Sequence, residues 1–140
     1  MSHLPTFDEI SVYGSLDEQC AVDHFLGKDL AEAEALFRDN FIYYQEDLMW
    51  MGPSAFCFYV DAAINYLLAL ESEGDSDAAS SFCGVVEFQN AHYAASISPA
   101  YARLRSAIDR ILRDFDRYDC DPNIYGDVPK RYRELRAKLV

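Results

Sequence analysis

Hydrophobic positions recur at helical spacing along most of this chain. The clearest stripe follows Pro99 at 3-4-3-4-3 spacing, as on a helix that packs against other helices, and comprises Tyr101, Leu104, Ile108, Ile111, Phe115 and Tyr118. A second stripe follows Pro53 and comprises Phe56, Val60, Ala63, Leu67 and Leu70. No segment keeps the period-2 alternation of a half-buried strand. We therefore predict an all-α fold, a compact bundle of five to six helices in a single domain over residues 1–140.

Capping signals predict where the first two helices begin. Ser15 with Glu18 and Asp29 with Glu32 match the capping box, in which the two side chains satisfy backbone N–H groups of the first turn. The first predicted helix carries the apolar residues Val22, Phe25 and Leu26 and ends at Gly27. The second ends near Asn40.

The remaining helices have equally local signals. Pro53 suits the first turn of a helix, where its missing N–H has no acceptor to lose. A fourth helix is predicted over about 76–91, with Phe82, Val85, Val86 and Phe88 as core candidates. Ser98 and Pro99 open a fifth, and Asp127 caps a short last helix bearing Tyr132, Leu135 and Leu139.

Between the second and third predicted helices lies an aromatic connection, residues 41–53. It contains two Tyr, the only Trp (Trp50), two Met and the acidic pair Glu46 and Asp47. One interpretation is that it folds back and covers the core with Leu48, Met49 and Trp50, since large aromatic side chains are usually mostly buried. The other is an interface anchor, because Trp, Tyr and Met are enriched where proteins bind. The two can hold together.

The charge of the chain is strongly acidic and uneven. Residues 1–90 contain 17 Asp/Glu but only Lys28 and Arg38 as basic residues, whereas residues 91–140 contain 7 Asp/Glu and 10 Lys/Arg. Such a field repels nucleic acid and anionic lipid and attracts basic proteins. Its alternative role is to keep the protein in solution.

Residues that could carry chemistry are few. Cys20 and His24 are four apart on a predicted helix and could form a nucleophile–base pair or half of a metal site, but no third member is placed in the sequence to complete either. We expect a buried Cys beside a half-exposed His. Asp119, Asp121 and Asn123 match the start of a calcium loop, which then fails at Ile124 and Lys130. We predict a protein that is not an enzyme, with no cofactor and no metal.

The cysteine usage and the N-terminal residues favour a cytoplasmic protein. None of the four cysteines forms a CxxC pair, which favours reduced thiols in the core. Residues 1–14 show neither a basic nor an apolar region of a signal peptide. The most apolar run, residues 48–70, is interrupted by Gly52, Pro53, Asp61 and Asn65, so we expect no membrane span.

One stretch of the chain carries a resemblance. Gly52-Pro-Ser-Ala-Phe-Cys-Phe-Tyr59 resembles a Gly-Pro-x-Ala-Phe-x-(Phe/Tyr)-Tyr motif of small, acidic, helical bacterial proteins of unknown role, and the similarity extends over about residues 22–90. Cys57 and Asp61 depart from that pattern. In size, acidity and helical content such proteins resemble immunity proteins that neutralise toxins delivered between bacteria, type VI secretion effectors among them. The motif carries no catalytic group, so Gly52, Pro53, Phe56 and Tyr59 are assigned to the fold.

These observations lead to a hypothesis of binding. The leading function is an immunity protein, or antitoxin, that blocks a basic toxin such as a nuclease, with a non-catalytic regulatory or scaffold module for another basic protein as the alternative. An enzyme using Cys20 and His24 is the third. The expected partner contacts are Glu46, Asp47, Trp50 and the acidic residues of the connection after the third helix, Glu71, Glu73, Asp75 and Asp77.

Overall fold

The computed structural model describes residues 3–140, and that part of the chain is all-α. Its helices are α1 (Phe7–Ile10), α2 (Leu16–Phe25), α3 (Leu30–Trp50), α4 (Pro53–Leu67), α5 (Ser76–Ile97), α6 (Tyr101–Arg113), α7 (Pro122–Tyr125) and α8 (Val128–Lys138). Short 3₁₀ turns at Leu70–Ser72, Ser98–Ala100 and Phe115–Tyr118 connect some of them. Two of the eight are single turns, α1 and α7, so the prediction of five to six helices matches the six longer ones.

The core lies where α3, α4 and α5 meet. Helix α4 is apolar around most of its circumference, and its stripe from Phe56 to Leu67 is fully buried. Tyr59 on this helix donates its hydroxyl to the carbonyls of Phe25 and Lys28, both at 2.8 Å, and thereby fixes the end of α2. The first helices are thus docked to the centre of the bundle by a buried hydrogen bond as well as by apolar contact.

The predicted helix starts are confirmed. Both capping boxes form, with Ser15 and Asp29 accepting from the backbone N–H groups of Glu18 and Glu32. Pro53 occupies the first turn of α4, and Asp127 caps α8. Gly27 follows α2 with a φ of 82°, a left-handed value that glycine adopts without strain.

The prediction of a connection over residues 41–53 is wrong for most of its length. Helix α3 does not stop at Asn40 but continues to Trp50 across a kink, at which Asn40 takes a φ of −160° and a ψ of 83°. The Asn40 side chain then accepts a hydrogen bond from the Tyr43 N–H, so that it caps a second helical arm. That arm buries Phe41 and Leu48 against the core, and this packing outweighs the local signal for a helix end.

Other predictions at helix ends need correction. Leu70, placed on the α4 stripe, lies beyond the end of the helix and is 86% exposed, and Leu26 is exposed rather than buried. Helix α5 runs six residues past its predicted end, through a kink at Tyr93. The stripe after Pro99 is broken at Asp114, although Leu104, Ile108, Ile111 and Tyr118 are buried as predicted.

Candidate functional site

Helix α2 and the second arm of α3 enclose a groove lined by three acidic residues, a histidine and a cysteine together with two aromatic side chains. The two helices run in opposite directions, because residues near the start of α2 lie beside the end of α3 and His24 lies beside Tyr43 and Tyr44. Within the groove is a cavity of about 90 Å³, lined by Asp17, Cys20, His24, Tyr43, Glu46, Asp47 and Trp50. The sequence predicted three of these residues as partner contacts or anchors, namely Glu46, Asp47 and Trp50.

A histidine–carboxylate pair forms the floor of the cavity. Nδ1 of His24 lies 2.6 Å from Oδ2 of Asp47, a short, charge-assisted hydrogen-bond distance. The imidazole ring also contacts Tyr43 and Tyr44, with ring centroids 5.4 and 5.3 Å away. These contacts fix the orientation of the imidazole and hold Asp47 at the base of the groove.

Asp47 is the unusual residue of the site, because it is a carboxylate that is only 5% exposed. Burial raises its pKa above the ordinary value of 3.8, the hydrogen bond from His24 opposes that rise without cancelling it, and the nearby charges of Glu46 and Asp17 add to it. Asp47 stays a predicted partner contact, but only a partner group that enters the cavity can reach it.

The rim of the groove is acidic and aromatic. Glu46 and Asp17 are exposed, and neither forms an ion pair with any residue of 3–140. Trp50 is 41% exposed, and its ring meets Phe88 of α5 at 4.9 Å in an edge-to-face contact. The ring of Phe88 in turn stacks on His92 at 4.2 Å. An aromatic surface therefore extends from the groove onto α5.

The interpretation that the aromatic segment covers the core holds for only part of its length. Leu48 is fully buried and Met49 is partly buried against the core, as the first interpretation predicted, and Met51, which it did not name, is fully buried as well. Trp50 does not cover the core in the same way, since it is substantially exposed at the groove. Gln89 holds the chain in place here, because its side-chain amide donates to the carbonyls of Met49 and Met51 at 3.0 and 2.9 Å.

The acidic connection after α4 forms a separate place on the surface. It is linked to the beginning of the second α3 arm through Tyr66 of α4, whose ring stacks on Phe41 and whose hydroxyl donates to Asp75 at 2.5 Å. Trp50 stands nine residues further along that arm, roughly 13 Å away at the rise of an α-helix. The seven predicted contacts therefore do not form one cluster.

The acids of this connection also differ in what they are free to do. Asp75 caps α5, and Asp77 accepts from the Tyr125 hydroxyl at 2.5 Å, so both are engaged within the fold. Glu71 lies 3.9 Å from Arg38, a long and exposed ion pair, and Glu73 is exposed. Only Glu71 and Glu73 present carboxylates that the fold itself uses little.

Cys20 and His24 do share one face, as their spacing predicted, but the expected burial of Cys20 is wrong because this thiol is exposed. No third member was predicted for the pair, whereas the structure places Asp47, 23 residues along the chain, beside His24. The Cys20 thiol makes no hydrogen bond to His24 or to any other residue of 3–140, so the three side chains do not form a connected triad. Cys83 is buried, and all four cysteines are free.

The segment whose match to a calcium loop fails can be located in the structure. Residues 121–125 fold into the single turn α7, with Asp121 accepting from the Asn123 N–H, in place of a calcium loop. Among residues 3–140 no group of three or more His, Cys, Asp or Glu side chains is arranged to hold a metal ion. Over the same residues, no helix combines the length and the apolar character needed to cross a bilayer.

Comparison of the chain with models of known protein families, with curated proteins and with solved structures finds no match. The role of the groove is therefore inferred from its own residues.

Proposed function

We propose that this chain is an immunity protein that binds a basic bacterial toxin, such as a nuclease effector, and neutralises it. The observation that carries the proposal is the α2–α3 groove, in which a deeply placed carboxylate, exposed acids and an exposed tryptophan lie together. Trp residues at the centre of interfaces contribute a large share of binding energy, and acidic residues around them select a basic partner.

The distribution of ion pairs supports the location of this surface. Three arginines of the C-terminal third form ion pairs with acids elsewhere on the bundle, Arg103 with Asp61, Arg131 with Glu87 and Arg136 with Asp109. The groove has no such arginine among the described residues, so its negative charge is available to a partner. A nuclease presents the complementary charge, because it grips phosphates with Lys and Arg.

The proposal is tested with the product of the reading frame next to the gene for this chain. We expect that product to arrest growth when it is expressed alone and to be tolerated, and bound in a purified complex, when this chain is co-expressed. Reversing the two exposed groove charges with Asp17→Lys and Glu46→Lys should remove both protection and binding. If the double variant protects as well as the wild type does, the groove is not the interface.

A matched control separates local charge from net charge. Asp116 and Glu134 are exposed, make no ion pair within the described residues and lie outside the groove. The double variant Asp116→Lys, Glu134→Lys changes the net charge by the same amount and should retain protection.

The alternative, a regulatory or scaffold module, uses the same groove and a basic partner that is not toxic. It is favoured if the neighbouring product does not arrest growth but still binds this chain with the same sensitivity to the groove variants.

A further inference from the structure

The α2–α3 groove has the features of a receptor for one side chain. Its cavity of about 90 Å³ has room for about three water molecules, which suits a small head group and not a nucleotide or a folded loop. We propose that the cavity receives the guanidinium of a single arginine from the basic partner. This inference rests on the proposed function and specifies how the partner is recognised.

One carboxylate oxygen of Asp47 is unused within the fold. His24 occupies Oδ2, but Oδ1 accepts no hydrogen bond from residues 3–140, although the side chain is more than nine-tenths buried. Among fully buried side-chain nitrogens and oxygens of these residues, only Oε1 of Gln89 has no partner, so Oδ1 of Asp47 must border the cavity. This oxygen is free to accept from a donor that enters from outside, and a cationic donor makes the strongest such hydrogen bond.

The walls of the cavity suit a flat cation. Tyr43 and Trp50 are both exposed large aromatics that line the cavity, and Glu46 and Asp17 stand beside them. A guanidinium is flat, so its edge can donate to carboxylates while its face lies on an aromatic ring. The ammonium of lysine is compact and more strongly hydrated, so it gains less from such walls. Arginine is therefore the preferred occupant.

The position of the only tryptophan makes the proposal directly measurable. Trp50 lines the cavity, so its fluorescence reports occupancy without a label. The probes are N-acetyl-arginine amide, the lysine analogue and the citrulline analogue, which has nearly the shape of arginine but no charge, all added at constant ionic strength. The arginine probe should change the fluorescence saturably, the lysine probe should bind at least several-fold more weakly, and the citrulline probe should give no saturable change.

Variants locate the effect. Asp47→Asn keeps the shape and an acceptor for His24 but removes the charge, and it should weaken the arginine probe by about tenfold or more, the usual effect of losing a charge-assisted hydrogen bond. Glu46→Gln, on the exposed rim, should weaken it by a few-fold even if Asp47→Asn folds poorly, which circular dichroism reports. Asp116→Asn, remote from the groove, should leave it unchanged.

The outcomes distinguish this inference from the proposed function. Equal responses to arginine and citrulline, or wild-type affinity in both groove variants, overturn the arginine receptor. If the chain nevertheless binds and neutralises the neighbouring toxin, the proposed function stands while the receptor fails. If the arginine probe binds as expected but no toxic neighbour is neutralised, the receptor stands and the immunity function fails.

Discussion

Replacement of Gly52 with alanine should weaken the attachment of the first turn of the chain to the bundle. Gly52 lies between α3 and α4, and its N–H donates to the carbonyl of Ile10 at 2.9 Å. A Cβ added there would lie 2.3 Å from the carbonyl oxygen of Glu9 and 2.6 Å from Cγ2 of Val12. The φ of −57° and ψ of 154° are accessible to alanine, so the penalty arises from crowding rather than from backbone strain.

The magnitude follows from these two contacts. One of the crowded atoms is a backbone oxygen, which cannot rotate away, so α1 must shift. Overpacking of this kind costs about 1–3 kcal/mol, and loss of the Gly52–Ile10 hydrogen bond adds about 1 kcal/mol. We therefore expect Gly52→Ala to lower the free energy of unfolding by about 2–4 kcal/mol.

Urea denaturation followed by circular dichroism measures the change, and Gly84→Ala is its matched control. Gly84 lies inside α5, and a Cβ there would meet only Nη2 of Arg131 at an ordinary 3.7 Å. Because alanine is favoured over glycine within a helix, this variant should gain about 0.5–1 kcal/mol. Equal effects of the two substitutions would refute the reasoning from close approach at Gly52.

Three further predictions concern single side chains. Because the pKa of Asp47 is raised in the folded state, its contribution to stability is complete below pH 3.8 and is lost as pH rises through the folded-state pKa. Urea titrations should therefore show that Asp47→Asn becomes more stable relative to the wild type as pH rises above about 4. A rise in the relative stability of the wild type instead would contradict this. The pKa of Glu9 is lowered from 4.5 to about 2, chiefly by a hydrogen bond from the Thr6 N–H, so its contribution to stability is complete above pH 4.5 and is lost toward pH 2. Glu9→Gln should therefore flatten the fall in the free energy of unfolding at acid pH. An unchanged fall would count against this. Gln89→Leu should lower the free energy of unfolding by about 1–3 kcal/mol, because the carbonyls at the end of α3 lose their donor. It should also shift the fluorescence emission of Trp50, which lies in the same segment. An unchanged emission maximum would mean that Gln89 does not position this segment.

The sequence predicts those parts of the fold whose signals are local. A capping box such as Ser15 with Glu18 depends on residues three apart, and Pro53 acts on its own turn. The all-α class follows from the same short-range spacing. Because these local signals mark helix starts, the predicted starts are more accurate than the predicted ends.

The candidate site depends on contacts that short-range spacing does not report. Asn40 resembles a helix end and does interrupt α3, but tertiary packing of Phe41 and Leu48 carries the helix onward. Once residues 41–50 are helical, Tyr43, Asp47 and Trp50 fall at i, i+4 and i+7 and share one face. Had that segment been predicted as helical, this shared face could have been predicted from the sequence. The pairing of Asp47 with His24, by contrast, needed the three-dimensional arrangement of α2 and α3.

The most direct test of the groove as an acidic docking site is the association rate at several salt concentrations. Stopped-flow fluorescence of Trp50 would follow binding of the neighbouring basic protein to the wild type and to the variant Asp17→Lys, Glu46→Lys. Exposed charges steer association and are screened within about 10 Å at 0.1 M salt. We predict a wild-type rate that falls steeply with salt and a variant rate that is much lower at low salt and nearly independent of salt. Identical rates and identical salt dependence for the two proteins would contradict the account.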